Sequence, residues 1–206
     1  VWFNREQRDR SPWHEAVYRC LDLETSDLDP ANGDVVSVAV VPVRDGVVRC
    51  AELYHSLVRP EREPSRWHGS RAHHIVPADV AGAPRWPEVV REVDRRLRGG
   101  VLVVHGASVE VPFLRRGYDR AGISWPPGPV VDTVRLLQRL DGRLRWLSGR
   151  TGTVPVELGQ ARVQIGLPRY PRHDAATDAV ATAELFLVLV EKLGARTVRD
   201  LVGWGA

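Results

Sequence analysis

Tyr18-Arg19-Cys20-Leu21-Asp22-Leu23-Glu24-Thr25-Ser26 begins as an apolar strand and ends on two carboxylates where more core side chains are expected. Strand side chains alternate between faces, so Asp22 and Glu24, two apart, point the same way. Two carboxylates on one face repel, and taking them out of water is costly unless a cation neutralises them. A divalent metal meets that need. A strand end with two solvated acids is the competing reading, and D-x-E alone does not separate the two.

Outward from this strand, Val17 to Glu24, the chain reads as mixed α/β. Asp27 to Asp34, with Pro30, Asn32 and Gly33, is turn chemistry. The β-branched run Val35 to Val43 suits a buried strand, and Arg44-Asp45-Gly46 is a hairpin signal leading to a partner strand from Val47 to Val58. The first third therefore predicts a three-stranded antiparallel unit. Cys20 and Cys50 both fall in strand-like segments and read as buried, reduced thiols, too few for a zinc site.

Residues 59 to 85 show no clear period. Apolar spacing at Val89, Val90, Val93 and Leu97 predicts a helix from Trp86 to Leu97, ended by Gly99-Gly100. Val101 to Val104 is a short strand closed by His105-Gly106, and Val109 to Ala121 is helical with Pro112 in its first turn. Val130-Val131 is a further short strand, with Asp132 capping a helix through Leu140. Asp141 to Val154, which holds Gly142, Gly149 and Gly152, reads as a surface connection. Helices follow at Glu157 to Ile165 and Asp174 to Leu193, and a short amphipathic piece at Thr197 to Trp204. Strands first, then alternating helices and strands, imply a mixed sheet with helices packed on it.

With 206 residues, 43% hydrophobic and 27% charged, the chain fits one globular domain. Residues 1–16, of mixed charge with Trp2, Phe3 and Trp13, read as an N-terminal extension, and 17–206 as the domain proper. The longest apolar run, Leu185 to Val190, is too short to span a bilayer, and charges interrupt any leader-like segment near Val1, so the expected location is cytoplasmic with no membrane partner. The net charge is +3, and Lys192 is the only lysine among 29 basic side chains. That balance is compatible with a nucleic-acid partner without requiring one.

The last long helix carries a second anomaly. Its start, Ala175-Ala176-Thr177-Asp178-Ala179, is made of small residues that let a helix approach a sheet, yet Asp178 lies among them. An acid on a close-packed face needs a charge partner. Asp174 reads as the helix cap, with His173 just before it. Glu110, alone, is an ordinary first-turn acid favoured by the helix dipole. Together, Asp22, Glu24, Glu110, Asp178 and His173 form a set suited to two hard divalent cations, Mg²⁺ or Mn²⁺.

Three segments of this set resemble the three motifs of the DEDDh 3′–5′ exonucleases, relatives of the DNA polymerase III epsilon proofreading subunit with a ribonuclease H-like fold. They are Leu21 to Pro30, His105 to Leu114, and His173 to Ala179. Val131-Asp132-Thr133 and Ala72-His73-His74-Ile75 are similar to two further family segments. The resemblance implies a five-stranded mixed sheet, three antiparallel strands followed by parallel ones, flanked by helices. It implies a 3′–5′ exonuclease releasing nucleoside 5′-monophosphates from single-stranded 3′ ends, DNA favoured, with two divalent cations. Asp22 would bridge both ions, Glu24 and Asp178 would complete one site, Glu110 would hold the second, and His173 would be the general base. Thr25 and His73 would contact the terminal nucleotide. Arg115, Arg116 and Arg120 would be the nearest phosphate contacts or else a solvated face, His105 would orient its helix turn, and Phe113 would belong to the core. The second motif departs from the family pattern, with Gly106 for Asn, Val109 for Phe and Glu110 for Asp, and His74 stands where glycine is usual. A binding module of this fold that has lost catalysis, and an exonuclease for RNA or short oligoribonucleotides, are the rival readings. A polymerase partner is left open.

Overall fold

The computed structural model describes residues 10–61, 73–125, 128–148, 153–171 and 173–205. At its centre is β1 (Tyr18–Thr25). On one side β2 (Val35–Arg44) pairs antiparallel with it, placing Asp22 opposite Ala39 and Tyr18 opposite Val43. On the other side β5 (Val101–Val104) runs parallel to β1, and β6 (Val130–Asp132) runs parallel to β5 at the edge. All but the last residue of β2 are buried, as a strand covered on both faces requires.

The third strand differs from expectation. Instead of one strand from Val47 to Val58 there are two, β3 (Val47–Val48) and β4 (Tyr54–Leu57), both antiparallel to β2 and separated by a 3-10 turn at Cys50–Glu52. The path β3-β2-β1-β5-β6, with β4 also on β2, is thus the expected mixed sheet with its third strand in two pieces. The interruption puts Cys50 on the surface, whereas Cys20 is buried; both thiols are free.

Helices cover both faces. On one lie α2 (Trp86–Leu97) and α3 (Ala107–Ala121), packed on Leu21, Val38, Val40, Leu102 and Val104. On the other, α4 (Thr133–Ser148), α6 (Ala175–Leu193) and α7 (Val198–Gly205) pack on Cys20, Ala39, Val41 and Val103. Two short helices, α1 (Pro77–Val80) and α5 (Leu158–Gln164), complete the set of described helices. Cys20 and Leu21 therefore face opposite layers, and alternation carries Asp22 and Glu24 to the α6 face. Buried Ala175, Ala179 and Ala183 let α6 lie close against that face.

Two helix boundaries move from their expected places. Gly106, at φ 108°, turns the chain straight from β5 into α3, so the helix begins at Ala107 and Pro112 falls beyond its first turn. The carbonyl that loses its partner belongs to exposed Ser108. α4 runs on to Ser148 through Gly142, so Asp141–Ser148 is helix rather than connection. Buried Asp141 pairs with Arg145 at 2.7 Å one turn on and accepts from Val154 N–H at 2.9 Å, tying the helix to the returning chain.

Residues 10–16 dock by a tryptophan. Trp13 packs on the α6-side core, its N–H donates to Arg196 C=O at 3.0 Å, and its C=O accepts from the Tyr18 hydroxyl at 2.9 Å. Trp2 and Phe3 lie outside the described residues. Among the described residues no helix is long and apolar enough to cross a membrane.

Candidate active site

The carboxyl ends of β1, β5 and β6 lie at one end of the sheet, because the three strands are parallel. Asp22 and Glu24 end β1 there; α3 starts after β5 and brings Glu110, and the first turn of α6 brings Asp178. Ligand atoms of Glu24, Asp178 and His173 all lie within 4.8 Å of one another. Asp22 feels the charge of Glu24, Glu110 and Asp178 together. Glu24, Asp178 and His173 thus meet most closely, with Asp22 and Glu110 outside that innermost group but near enough for their charges to be felt.

The electrostatics of this cluster are those of acids lacking a counter-charge. Burial, followed by repulsion from Glu24, Glu110, Asp178 and Asp174, pushes the Asp22 carboxyl well above its ordinary range. Burial, then Asp178 and Asp174, raises Glu24 to about 8. Burial also leads for Glu110, raised to about 8, with Asp132 and Glu24 adding to the shift and a backbone hydrogen bond opposing it. Glu110 Oε2 is buried with no hydrogen-bond partner among the described residues. An orphaned Glu110 oxygen near Asp22 and Glu24, with Glu24 in turn meeting Asp178 and the His173 imidazole, is a donor set that fits hard divalent cations such as Mg²⁺ and Mn²⁺. The cation would supply the missing positive charge.

Two of the three departures in the second motif, Gly106 and Glu110, are neighbours in space. A Cβ on Gly106 would lie 3.7 Å from Glu110 Oε2, an ordinary contact, so the two positions adjoin without crowding each other. The left-handed φ of 108° favours glycine. Asp132 holds this corner by accepting from Gly106 and Ala107 N–H, both at 3.0 Å, and from Val134 N–H at 2.9 Å. The expected cap of α4 therefore ties the start of α3 as well.

His173 sits at φ 62°, immediately before the α6 cap Asp174, and its N–H donates to Asp178 Oδ2 at 3.0 Å. His73 is buried; its Nδ1 accepts from Ile75 N–H at 3.0 Å, and burial lowers its pKa against the opposing pull of the Thr25 backbone. Its Nε2 is buried without a partner of good geometry. His74 accepts the left-handed backbone of the usual glycine, at φ 58°, so the turn survives the substitution. Ala72 lies outside the described residues. His105 bridges Thr133 Oγ1 at 2.8 Å and Val156 C=O at 2.7 Å, fixing the turn it stands in, and Phe113 is a core residue.

The arginines of α3 divide. Arg116 donates to Pro30 C=O, to Gly33 C=O at 2.6 Å and to Asp34 Oδ1 at 2.8 Å, so it pins the loop after β1 rather than presenting itself to solvent. Arg120 pairs with Glu61 at 2.5 Å. Arg115 is exposed.

Sequence reasoning missed Arg162 and Tyr170. They line a cleft of about 370 Å³ with Asp22, His105, His173 and Asp178. Arg162, on α5, is 1% exposed. It donates to Pro168 C=O at 3.1 Å, Ala181 C=O at 2.7 Å and Glu184 Oε2 at 2.7 Å, and lies over the Tyr170 ring at 4.4 Å. The Tyr170 hydroxyl donates to the other Glu184 oxygen at 3.0 Å. The only hint in the sequence was an arginine beside the apolar positions Ala161 and Ile165.

Comparison with known proteins gives the chain's family and fold relatives. The RNase_T family model, described as an exonuclease, matches residues 20–186. A DNA polymerase III subunit epsilon-like protein of Rhodobacter capsulatus is 35% identical over 187 residues, covering 90% of this chain and 25% of that protein. A PolC-type DNA polymerase III of Thermotoga petrophila is 30% identical over 184 residues, covering 89% of this chain and 12% of that protein. The chain thus spans a quarter or less of the length of these two relatives. Among solved structures, an Escherichia coli exonuclease I–ssDNA complex superposes with a TM-score of 0.74 at 14% identity, covering 88% of this chain and 42% of that one. Exonuclease X in complex with 5′ overhanging duplex DNA gives 0.65 at 24% identity, covering 92% and 99%. Both share the fold.

Proposed function

The chain belongs to the RNase_T exonuclease family, and from that membership we propose that it is a 3′–5′ exonuclease acting on single-stranded ends, DNA in preference to RNA. The observation that carries this reading is the convergence of Asp22, Glu24, Glu110 and Asp178 on one spot, with His173 beside them. Four acids gathered so closely that burial and mutual repulsion push up the carboxyls of Asp22, Glu24 and Glu110 are hard to explain in a module that only binds. The neighbours' polynucleotide complexes support a nucleic-acid substrate.

Asp22, Glu24, Asp178 and Glu110 would hold two divalent cations, Mg²⁺ or Mn²⁺, which would supply Lewis-acid stabilisation of the phosphoryl oxygens. His173 takes a proton from the attacking water, a role suited to imidazole near neutral pH. The water oxygen bonds to phosphorus, the bond to the 3′-oxygen of the upstream nucleotide breaks, and that oxygen is reprotonated. Nucleoside 5′-monophosphate leaves. Thr25 and neutral His73 orient the terminal nucleotide beside the end of β1. Arg116 keeps the loop from Asp27 to Asp34 in place above them.

A 5′-labelled single-stranded oligonucleotide, as DNA and as RNA, tests the proposal in Mn²⁺ and in EDTA. The expected result is a metal-dependent ladder shortening from the 3′ end, faster on DNA and lost in Asp22→Ala. No ladder on either polymer with any divalent metal would refute it; a ladder on RNA alone would reassign the substrate. His173→Ala is expected to lower kcat by roughly 10²–10⁴-fold, the usual worth of a positioned acid–base group.

A further inference from the structure

A second and larger depression, about 930 Å³, opens between the amino-terminal halves of α3 and α4. One wall is the α3 face Ala107, Ser108, Val111 and Arg115, spaced at helical intervals; the other carries Val134, Arg135 and Gln138 of α4. Val134 also lines the cleft that holds Asp22, His173 and Asp178, so the two depressions adjoin at this side chain.

The charge of this groove is unspent. Arg115 and Arg135 are exposed, and neither guanidinium has an ion pair or hydrogen bond among the described residues. The one acid among the lining residues, Asp132, is buried with its oxygens taken by the N–H groups of Gly106, Ala107 and Val134. Other arginines are occupied: Arg98 pairs with Asp94, Arg95 with Glu92, Arg91 donates to Ala121 C=O, and Arg116 is bound into the loop after β1. Trp125, half-buried in the groove, is held perpendicular to Tyr118 at 5.1 Å between ring centroids. Free guanidiniums beside an anchored aromatic ring are the elements of a surface that tracks a single strand, cations on phosphates and a ring under a base.

We infer that this groove binds the phosphodiester backbone of single-stranded nucleic acid upstream of the nucleotide being removed, with Arg115 and Arg135 each meeting a phosphate. The inference rests on the exonuclease reading for what sits in the adjoining cleft. It makes the groove the source of affinity for long substrates, while the cleft handles the terminal nucleotide.

The test is anisotropy of a 5′-fluorescein 20-mer and 4-mer DNA on the intact chain in EDTA, with salt titration, alongside turnover of both lengths in Mn²⁺. Arg115→Gln/Arg135→Gln removes two charges without disturbing a contact, and Arg95→Gln serves as the control for bulk charge. The double variant is expected to bind the 20-mer at least about tenfold more weakly and to lose about 1.4 from the log–log salt slope, at about 0.7 for each single-strand phosphate contact. Its turnover of the 4-mer should fall less than its turnover of the 20-mer. Unchanged affinity and slope, an equal loss in Arg95→Gln, or no 20-mer binding by the parent would overturn the groove. Absence of cleavage with arginine-dependent binding intact would instead remove the nuclease reading and leave the groove standing.

Discussion

Glu110 shows how one methylene is accommodated at the residue scale. The longer acid reaches a buried position next to Gly106, where its outer oxygen has no partner among the described residues. The raised carboxyls make the metal-free protein sensitive to base. Glu24 and Glu110 stand at about 8 when folded, against about 4.3 for glutamate in an unfolded chain. Between those values the folded state holds protons that the unfolded state has released. The stability is therefore fully present below the lower value and lost as pH rises through the upper one. In EDTA, Tm should fall from pH 6 to pH 9, and Mn²⁺ should recover most of the loss at pH 9; a flat EDTA profile contradicts the shifts. For the same reason Asp22→Asn should raise the metal-free Tm at pH 8 by roughly 2–6 °C, or about 1–2 kcal/mol, while abolishing turnover. A calorimetric scan of both proteins checks it.

At the scale of elements, the close approach of α2 and α3 depends on Gly117. A Cβ there would lie 2.2 Å from Trp86 Nε1 and 2.7 Å from its Cε2, inside a ring that is itself buried. Gly117→Ala should cost about 1–3 kcal/mol as an overpacked core does, despite the better helix propensity of alanine, and chemical denaturation measures it. Which elements were legible follows from similar local detail. β1 and α6 were readable because alternation and a run of small residues each clashed with a misplaced acid. The break between β3 and β4 was not, since Cys50-Ala51-Glu52 contains neither glycine nor proline to mark it. The length of α4 was hidden by Gly142 and recovered only through the Asp141–Arg145 pair and the packing of Leu144. Asp22, Glu24 and Asp178 could be picked out as chemistry out of place, whereas Glu110, an ordinary first-turn acid by itself, stood out only beside them and through the resemblance of its segment. The Arg162–Tyr170–Glu184 cluster could not, because its members gain meaning only when the chain from α5 folds back on α6.

That cluster acts at the scale of the whole molecule, joining α5, the segment through Pro168 and Tyr170, and α6 behind the site. Arg162 is the largest fully buried side chain among the described residues, and both carbonyls it serves are left without that donor if it is removed. Arg162→Ala should therefore cost about 3 kcal/mol, in the range for breaking a buried charge network. Since Tyr170 lies three residues before His173, it should also lower kcat. Tyr170→Phe, which removes only the hydroxyl bond to Glu184, should cost about 1 kcal/mol and leave the fold intact. Equal stability of Arg162→Ala and the parent in urea would show that the segment is held some other way.

The break between β3 and β4 has a practical consequence. It exposes Cys50, while Cys20 is sealed in the core, where burial pushes its thiol far up and keeps it protonated. A thiol-directed dye at neutral pH should therefore attach at one position only. That position follows β3, which pairs with the end of β2 opposite the start of β1, at the far end of the sheet from Asp22 and Glu24. The protein thus carries a built-in handle for tethering to a surface, by which single molecules could be watched shortening a strand without the attachment obstructing its path.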